Sequence, residues 1–218
     1  MDNTLERMKS CGVISICRKI YGDDLLNLSR ALCLGGVNFI EVTFDQSDSR
    51  CLSNTAEAIS MLRENNPEMC VGAGTVLTKD QVKAAYDAGA GFIISPNTNA
   101  CVIEYTKSFG MISVPGAMTP SEILSAWDFG ADIVKLFPAA TLGLRYLKDI
   151  RAPISHIPLL ATGGITPDNF EDFIRSGCCG AGIGSYLSDK KLIKEGNFGE
   201  FTSRARLLND IFEKVCSQ

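Results

Sequence analysis

A single lysine stands inside an apolar stretch of the sequence, in the run DIVKLFPAA at residues 132–140. Ile133 and Val134 precede Lys135, and Leu136 and Phe137 follow it. A lysine removed from water favours its neutral form, because the ammonium loses its hydration. A neutral amine can attack a ketone carbon and form a Schiff base. From its position alone, Lys135 is either such a nucleophile or one half of a structural ion pair.

A second ionisable residue in apolar surroundings is Glu41, in the run FIEVTF. A carboxyl group in such a place is either ion-paired or has a raised pKa, and a raised pKa suits a general acid and base. Glu41 could neutralise Lys135, carry protons for it, or do both. A Schiff-base enzyme needs a proton carrier within reach of the iminium.

Two glycine-containing loops, ATGGIT and GIGSYL, are candidates for binding phosphate. Backbone N–H groups bind phosphate where glycine lets the ligand come close. This makes Gly163, Gly164, Gly184 and Ser185 candidate phosphate ligands. The alternative is that these glycines only turn the chain or relieve crowding.

Two further candidates are Thr75 in VGAGTVLT and Pro96 in ISPNTN. The Thr75 hydroxyl could bind a substrate carboxylate or hydroxyl group, and Pro96 could shape the wall of a pocket. Taken singly, each is better explained as a turn residue.

The elements that carry these residues alternate between strand and helix along the whole chain. Eight short β-rich runs predict strands: VISIC, NFIEVTF, MCVGA, FIIS, MISVP, DIVKLF, IPLLAT and AGIG. Helix starts stand between them, such as Thr119 with Pro120 and Thr166 with Pro167. Eight βα units predict an α/β protein with a single (β/α)8 TIM barrel over residues 1–218. The competing open doubly wound sheet usually has a glycine-rich dinucleotide loop after its first strand, and VISICRKIYGDD has none.

A barrel gathers functional groups where its strands end and the βα loops begin. Arg18, Glu41, Thr75, Pro96, Lys135, Thr162 and both glycine-containing loops fall at such positions. Alternate residues of a barrel strand point inward, so Lys135 should share its direction with Ile133, while Val134 and Leu136 face the helices.

Composition narrows the class of protein. The 218 residues carry a formal net charge of −4 without a basic run, which argues against nucleic acid as a partner. No apolar stretch reaches the ~20 residues that span a bilayer, and the N-terminus lacks the apolar core of a signal peptide. Nine cysteines without a CxxC pair, beside one histidine, predict free thiols and no zinc site. We therefore expect a cytoplasmic protein without membrane contact or metal.

Taken together, these motifs make the sequence resemble the class I KDPG/KHG aldolase family, which cleaves 2-keto-3-deoxy-6-phosphogluconate and 4-hydroxy-2-oxoglutarate. The resemblance runs from about Val13 to Ser185, through GVNFIEVTF, VGAGTVLT, FIISPNTN, SVPGAMTPSEI, KLFPA, TGGI and IGSYL. It implies a (β/α)8 barrel that assembles as a homotrimer and needs no metal or cofactor. Its small-molecule substrate would be a 2-keto acid, with or without a phosphate.

The resemblance also implies roles for individual residues. Lys135 would form the Schiff base and Glu41 would shuttle protons. Thr75 and Pro96 would line the pyruvate end. The remaining substrate-binding positions would hold the carboxylate end and the phosphate: Arg18, Thr162, Gly163, Gly164, Gly184 and Ser185.

One position departs from the family pattern. Well-studied members read E-V-T-L-R-T, where the arginine helps to bind an anionic substrate, and this chain reads EVTFDQS. Asp45 carries the opposite charge and cannot make the bidentate hydrogen bonds that arginine makes to a carboxylate. The departure puts the preference for a doubly anionic substrate in doubt, and Arg18 or Lys19 could take over part of the role.

The expected reaction is reversible cleavage of a 2-keto-4-hydroxy acid to pyruvate and an aldehyde. A phosphate-binding barrel isomerase or epimerase, with Lys135 as an electrostatic stabiliser, is the alternative, and it predicts no covalent adduct with pyruvate. A non-catalytic sugar-phosphate sensor is a third reading, but it would have no need for both Glu41 and Lys135.

Overall fold

The computed structural model describes residues 4–217, and within them nine strands form one parallel sheet. The strands are β1 Val13–Cys17, β2 Phe39–Thr43, β3 Cys70–Gly74, β4 Phe92–Ile94, β5 Ile112–Val114, β6 Gly116–Ala117, β7 Val134–Leu136, β8 Leu159–Thr162 and β9 Cys178–Ile183.

The barrel closes through β5 and β6, which are two halves of one strand on either side of Pro115. β5 pairs with β4, and β6 pairs with β7. Pro115 has no N–H group to give to a neighbouring strand, but its carbonyl accepts a hydrogen bond from the Lys135 N–H at 2.9 Å. The order β4–β3–β2–β1–β9–β8–β7 completes the ring. The eight predicted strands and the (β/α)8 fold are confirmed, with the run MISVP divided at its proline.

Ten helices surround or cap the strands in the described part of the chain. They are α1 Thr4–Cys11, α2 Gly22–Leu34, α3 Cys51–Asn65, α4 Lys79–Asp87, α5 Ala100–Ser108, α6 Pro120–Asp128, α7 Ala139–Arg151, α8 Pro167–Arg175, α9 Lys190–Lys194 and α10 Phe198–Cys216. The buried Met8 of α1 packs against the residues inside the barrel, so α1 covers its N-terminal end. The opposite end is therefore the open one.

The predicted helix starts are present. Thr119 and Glu122 form a reciprocal capping box at the start of α6, in which Glu122 Oε2 accepts from the Thr119 N–H at 2.8 Å. At α4, Thr78 Oγ1 accepts from the Gln81 N–H at 3.2 Å. The Gln81 side chain accepts a hydrogen bond from the Leu77 N–H at 2.7 Å.

Apolar side chains form two clusters, one inside the barrel and one between the barrel and its helices. The inner cluster contains Met8, Ile14, Phe39, Phe92, Ile94, Ile112, Val114, Ile133 and Leu160. Val134 and Leu136 belong to the outer cluster. The predicted alternation in the Lys135 strand is therefore confirmed.

The described helices include none with the length and apolarity to cross a bilayer. The nine cysteines, all within the described residues, form no disulfide, as predicted. Cys17 and Cys178 are buried, and burial raises the pKa of each thiol to about 12. Cys101 and Cys216, in contrast, are exposed.

Candidate active site

Lys135 and Glu41 are the two charged side chains buried within the described barrel. Lys135, in the middle of β7, is 6% exposed, and Glu41, in the middle of β2, is 2% exposed. Both alternate along their strands with residues of the outer cluster, which directs them inward. They stand one layer above the apolar floor formed by Phe39 and Ile133.

Burial lowers the pKa of Lys135, and the positive charge of Arg18 lowers it further, whereas the Glu41 carboxylate raises it. Among residues 4–217, no carboxylate oxygen lies within 4.0 Å of the Lys135 amine. The amine lies 5.1 Å from the centre of the Phe137 ring instead. Lys135 is thus a buried amine in electrostatic reach of a carboxylate without a contact ion pair, which favours the nucleophile over the structural ion pair.

The pKa of Glu41 is shifted in the opposite direction. Burial raises its pKa, and the charges of Lys135 and Arg18 lower it. Its Oε2 atom is buried and has no hydrogen-bond partner among the described residues. An unpartnered carboxyl oxygen aimed into a barrel is available to a ligand, since leaving it unpaired is costly.

Glu41 has room because β3 carries a glycine beside it. A Cβ atom placed on Gly74 would lie 2.5 Å from Glu41 Oε1 and 2.7 Å from its carboxyl carbon. Those separations are well below van der Waals contact, so any side chain at Gly74 would displace the carboxyl group. The glycine of VGAGTVLT therefore sets the position of Glu41.

Gly74→Ala is accordingly expected to lower the turnover of the protein by about 10- to 100-fold, because a misplaced proton carrier costs that much in rate. The melting temperature should fall only slightly. Gly91→Ala is the matched control, because a Cβ there would meet nothing nearer than the Val71 carbonyl oxygen at 3.9 Å. Equal turnover in the two variants would contradict this role of Gly74.

A cavity of about 270 Å³ opens at the C-terminal ends of β1, β8 and β9, and Lys135 and Glu41 are not among the residues that line it. Six of the predicted site residues line its wall: Arg18, Thr162, Gly163, Gly164, Gly184 and Ser185. Phe137, which contacts Lys135, also lines it. The structure thus brings both glycine-containing loops and Arg18 together in one cavity, whose wall also includes the Phe137 ring that lies 5.1 Å from the Lys135 amine.

The glycines at 163 and 164 are required by the backbone itself. Their φ values are +94° and +74°, a region that side chains rarely adopt, and a Cβ on Gly164 would lie 2.6 Å from the Ala140 side chain. Gly163 and Gly164 therefore do turn the chain here, as the alternative interpretation of this loop held. Between the loop and the barrel interior, the buried Thr162 Oγ1 has no hydrogen-bond partner among the described residues and faces the position of Gly182. A free hydroxyl group beside a glycine turn can bind a ligand.

Thr75 and Pro96 lie at the same end of the barrel, after β3 and β4, and both are half-buried. They do not line the 270 Å³ cavity as the described residues outline it. Thr75 has φ +58°, and its carbonyl accepts a hydrogen bond from Gln46 Nε2 at 2.8 Å. Gln46 Oε1 in turn accepts from Gln81 Nε2 at 3.0 Å. This side-chain relay fixes the strained Thr75 loop, and no sequence motif indicated it.

Asp45, the departure from the family pattern, forms an ion pair with Lys19. Lys19 Nζ lies 2.8 Å from Asp45 Oδ2, and Ser47 Oγ donates to Asp45 Oδ1 at 2.7 Å. The hydrogen bonds from Lys19 and Ser47 lower the pKa of Asp45 to about 2. The negative charge at the mouth is therefore compensated locally, and it is not left facing the pocket as an isolated anion.

Comparisons with known proteins bear on what this site does. The sequence matches the family model for KDPG and KHG aldolase over residues 2–203. It is 41% identical over 177 residues to 2-dehydro-3-deoxy-6-phosphogalactonate aldolase of Escherichia coli (strain K12), covering 80% of this chain and 83% of that protein. It is 30% identical over 210 residues to 2-dehydro-3-deoxy-phosphogluconate aldolase of Haemophilus influenzae, covering 96% of each.

Among solved structures, a KDPG aldolase from Legionella pneumophila superimposes with a TM-score of 0.83 at 27% identity. The match covers 94% of this chain and 97% of that one. That structure holds pyruvate captured at low pH as a covalent carbinolamine intermediate.

Proposed function

The chain belongs to the KDPG and KHG aldolase family, and we propose that it cleaves a 2-keto-4-hydroxy acid to pyruvate and an aldehyde through a Schiff base on Lys135. The observation that carries this proposal is the buried Lys135 amine, whose pKa is lowered and which has no carboxylate within 4.0 Å among the described residues. Its neutral form is the one that attacks a ketone.

In the proposed reaction, the Lys135 nitrogen attacks C2 of the substrate and gives a carbinolamine. Glu41 donates a proton to the carbinolamine hydroxyl, which leaves as water, and an iminium remains. The Glu41 carboxylate, directly or through a water, then removes the proton of the C4 hydroxyl. The electron pair of the C3–C4 bond moves into the iminium, so an aldehyde departs and an enamine stays on Lys135. Protonation of C3 and addition of water release pyruvate and restore the amine.

The lowered pKa of Lys135 and the raised pKa of Glu41 support this assignment. Each group alternates between charged and neutral forms during the cycle, and pKa shifts in these directions bring the two forms of each group closer in free energy. Arg18 acts on both groups electrostatically, which couples the anion-binding cavity to the reacting pair.

We further propose that the substrate is a phosphorylated 2-keto-3-deoxy sugar acid. Its phosphate would lie in the cavity lined by Arg18 and the two glycine-containing loops, where N–H groups and a guanidinium group can bind it. Thr162 would donate to the substrate chain, and Thr75 and Pro96 would line the pyruvate end. The Lys19–Asp45 ion pair removes most of the charge conflict that Asp45 alone would create.

The experiment is a cleavage assay that follows pyruvate release through lactate dehydrogenase. The substrates are 2-keto-3-deoxy-6-phosphogluconate, its C4 epimer 2-keto-3-deoxy-6-phosphogalactonate, and 4-hydroxy-2-oxoglutarate. We expect release from at least one phosphorylated substrate, with a lower kcat/KM for 4-hydroxy-2-oxoglutarate. Absence of pyruvate from all three would overturn the proposal and favour an isomerase or epimerase that forms no covalent intermediate.

We also propose that residues 1–218 form a single domain that works as a homotrimer in the cytoplasm, as the family resemblance implies. Light scattering tests the assembly directly, since a trimer has three times the 23.5 kDa of one chain. A monomeric mass at micromolar concentration would contradict it.

A further inference from the structure

Beside the 270 Å³ cavity lies a second cavity of about 400 Å³, at the same end of the barrel. The two share Arg18, Gly184 and Ser185 in their walls, so they adjoin along the loop after β9. The wall of the second cavity also contains Lys190, the first residue of α9. Arg18 and Lys190 therefore both line the second cavity, and Arg18 also lines the cavity at the glycine-containing loops.

Arg18 and Lys190 are the cations on this wall that lack a counter-ion. Within the described residues, neither has a carboxylate oxygen within 4.0 Å. The neighbouring cations are engaged: Lys19 pairs with Asp45, Arg204 with Glu200 at 2.9 Å, and Lys191 lies 4.0 Å from Glu195.

The one acidic group on the wall, Asp189, is already satisfied. Its Oδ1 accepts from the Lys191 N–H at 2.8 Å, and its Oδ2 lies 3.9 Å from Arg204. A phosphate dianion carries up to two negative charges, more than Arg18 alone can balance. The second cavity thus offers a further positive charge, Lys190, beside the Arg18 that the two cavities share.

The backbone that carries Lys190 is fixed to the barrel. Ser188 Oγ lies 2.9 Å from the Ile16 carbonyl oxygen and 3.0 Å from that of Gly184, so its one O–H group has both as acceptors within reach. The segment between Gly184 and Lys190 is therefore tied to the end of β1, while the lysine side chain itself is exposed and free to reach into the cavity.

From this geometry we infer that Lys190 is a specificity-determining residue that binds the terminal phosphate of the substrate together with Arg18. The inference rests on the proposed function for its choice of ligand. It assigns to Lys190 a contribution to the affinity for phosphorylated over unphosphorylated ligands, with no part in the chemical steps.

The first test is a binding measurement, so that its outcome does not depend on turnover. Calorimetric titration with glycerol 3-phosphate, against glycerol as the uncharged match, is carried out on the wild type, Lys190→Ala, Lys190→Arg and Lys191→Ala. We expect Lys190→Ala to weaken glycerol 3-phosphate binding by about threefold to tenfold, the range for one solvent-accessible charge on a phosphate. Lys190→Arg should retain most of the affinity, and Lys191→Ala all of it. The difference should shrink at high salt.

The second test uses turnover of the phosphorylated substrate. Lys190→Ala should raise KM by a similar factor and leave kcat within about twofold, because the contact is present in both ground state and transition state. Unchanged binding in Lys190→Ala, or equal losses in Lys190→Ala and Lys191→Ala, would overturn the inference. An inactive wild type that still shows the Lys190-dependent affinity would instead contradict the aldolase proposal and leave the phosphate contact standing.

Discussion

Lys135→Ala is expected to abolish cleavage, with kcat/KM reduced by about 10⁴-fold or more, the scale of loss when a covalent nucleophile is removed. The reason is that every proposed step after substrate binding passes through a bond to the Lys135 nitrogen. Pyruvate release measures the loss. Retention of full activity in this variant would remove the Schiff-base interpretation.

Two further variants separate chemistry from folding. Lys135→Met keeps the length of the side chain without the amine, and it should be equally inactive and at least as stable as the wild type. Lys83→Ala, an exposed lysine of α4 that pairs with Asp87, should retain activity. Loss of activity in Lys83→Ala as well would indicate damage to the protein instead of loss of a nucleophile.

The pH dependence of stability gives an independent check on the state of Lys135. Burial lowers its pKa from the ordinary value of 10.5. Between the two pKa values, the unfolded chain therefore binds a proton that the folded protein lacks, so this group makes the free energy of unfolding rise with pH. The stability advantage of Lys135→Met over the wild type should be largest near neutral pH and narrow toward pH 10. Calorimetric melting of both proteins over that pH range measures the difference. A stability difference that stays constant with pH would contradict the prediction.

Glu41→Gln is expected to lower kcat by about 10²- to 10⁴-fold, the usual contribution of a positioned general acid and base. The amide has nearly the same shape but cannot accept and return protons. Because Lys135 is still present, the variant should still form a Schiff base with pyruvate, at a reduced rate. This combination of slow cleavage and retained adduct distinguishes a proton carrier from a residue that only holds the fold.

The variant should also alter the titration of Lys135. The Glu41 carboxylate raises the pKa of the amine, so its removal should lower that pKa and move the pH profile of adduct formation to lower pH. Glu104→Gln, at an exposed position of α5, is the control and should change neither rate nor profile. A Glu41→Gln variant that cleaves substrate like the wild type would contradict the proposed role.

Much of the fold could be predicted because local signals agreed with one another. The strand around Lys135 alternates between inner and outer clusters as its sequence indicated, and the helix start at Thr119 is formed as predicted. The inward direction of the Lys135 side chain could be predicted from the same alternation. The division of one strand at Pro115 was not foreseen, because it depends on which neighbour each half pairs with.

The residues that sequence reasoning missed depend on contacts between distant segments. Gly74 supports Glu41 only because β2 and β3 pair with Thr43 opposite Gly74. Gln46 and Gln81 meet at Thr75 across two loops. Lys190 lines the 400 Å³ cavity next to Arg18 because its loop is tied to β1. Strand register and loop docking are set by the packed barrel, so no local sequence pattern indicates these contacts.

The central claim is that the Lys135 amine forms a covalent bond with the keto acid. Incubation with pyruvate and borohydride, followed by intact-mass measurement and peptide mapping, tests it most directly. We predict one reduced pyruvate adduct per chain, located on Lys135. Folded protein that remains unmodified at neutral pH, or an adduct on another lysine, would contradict the account.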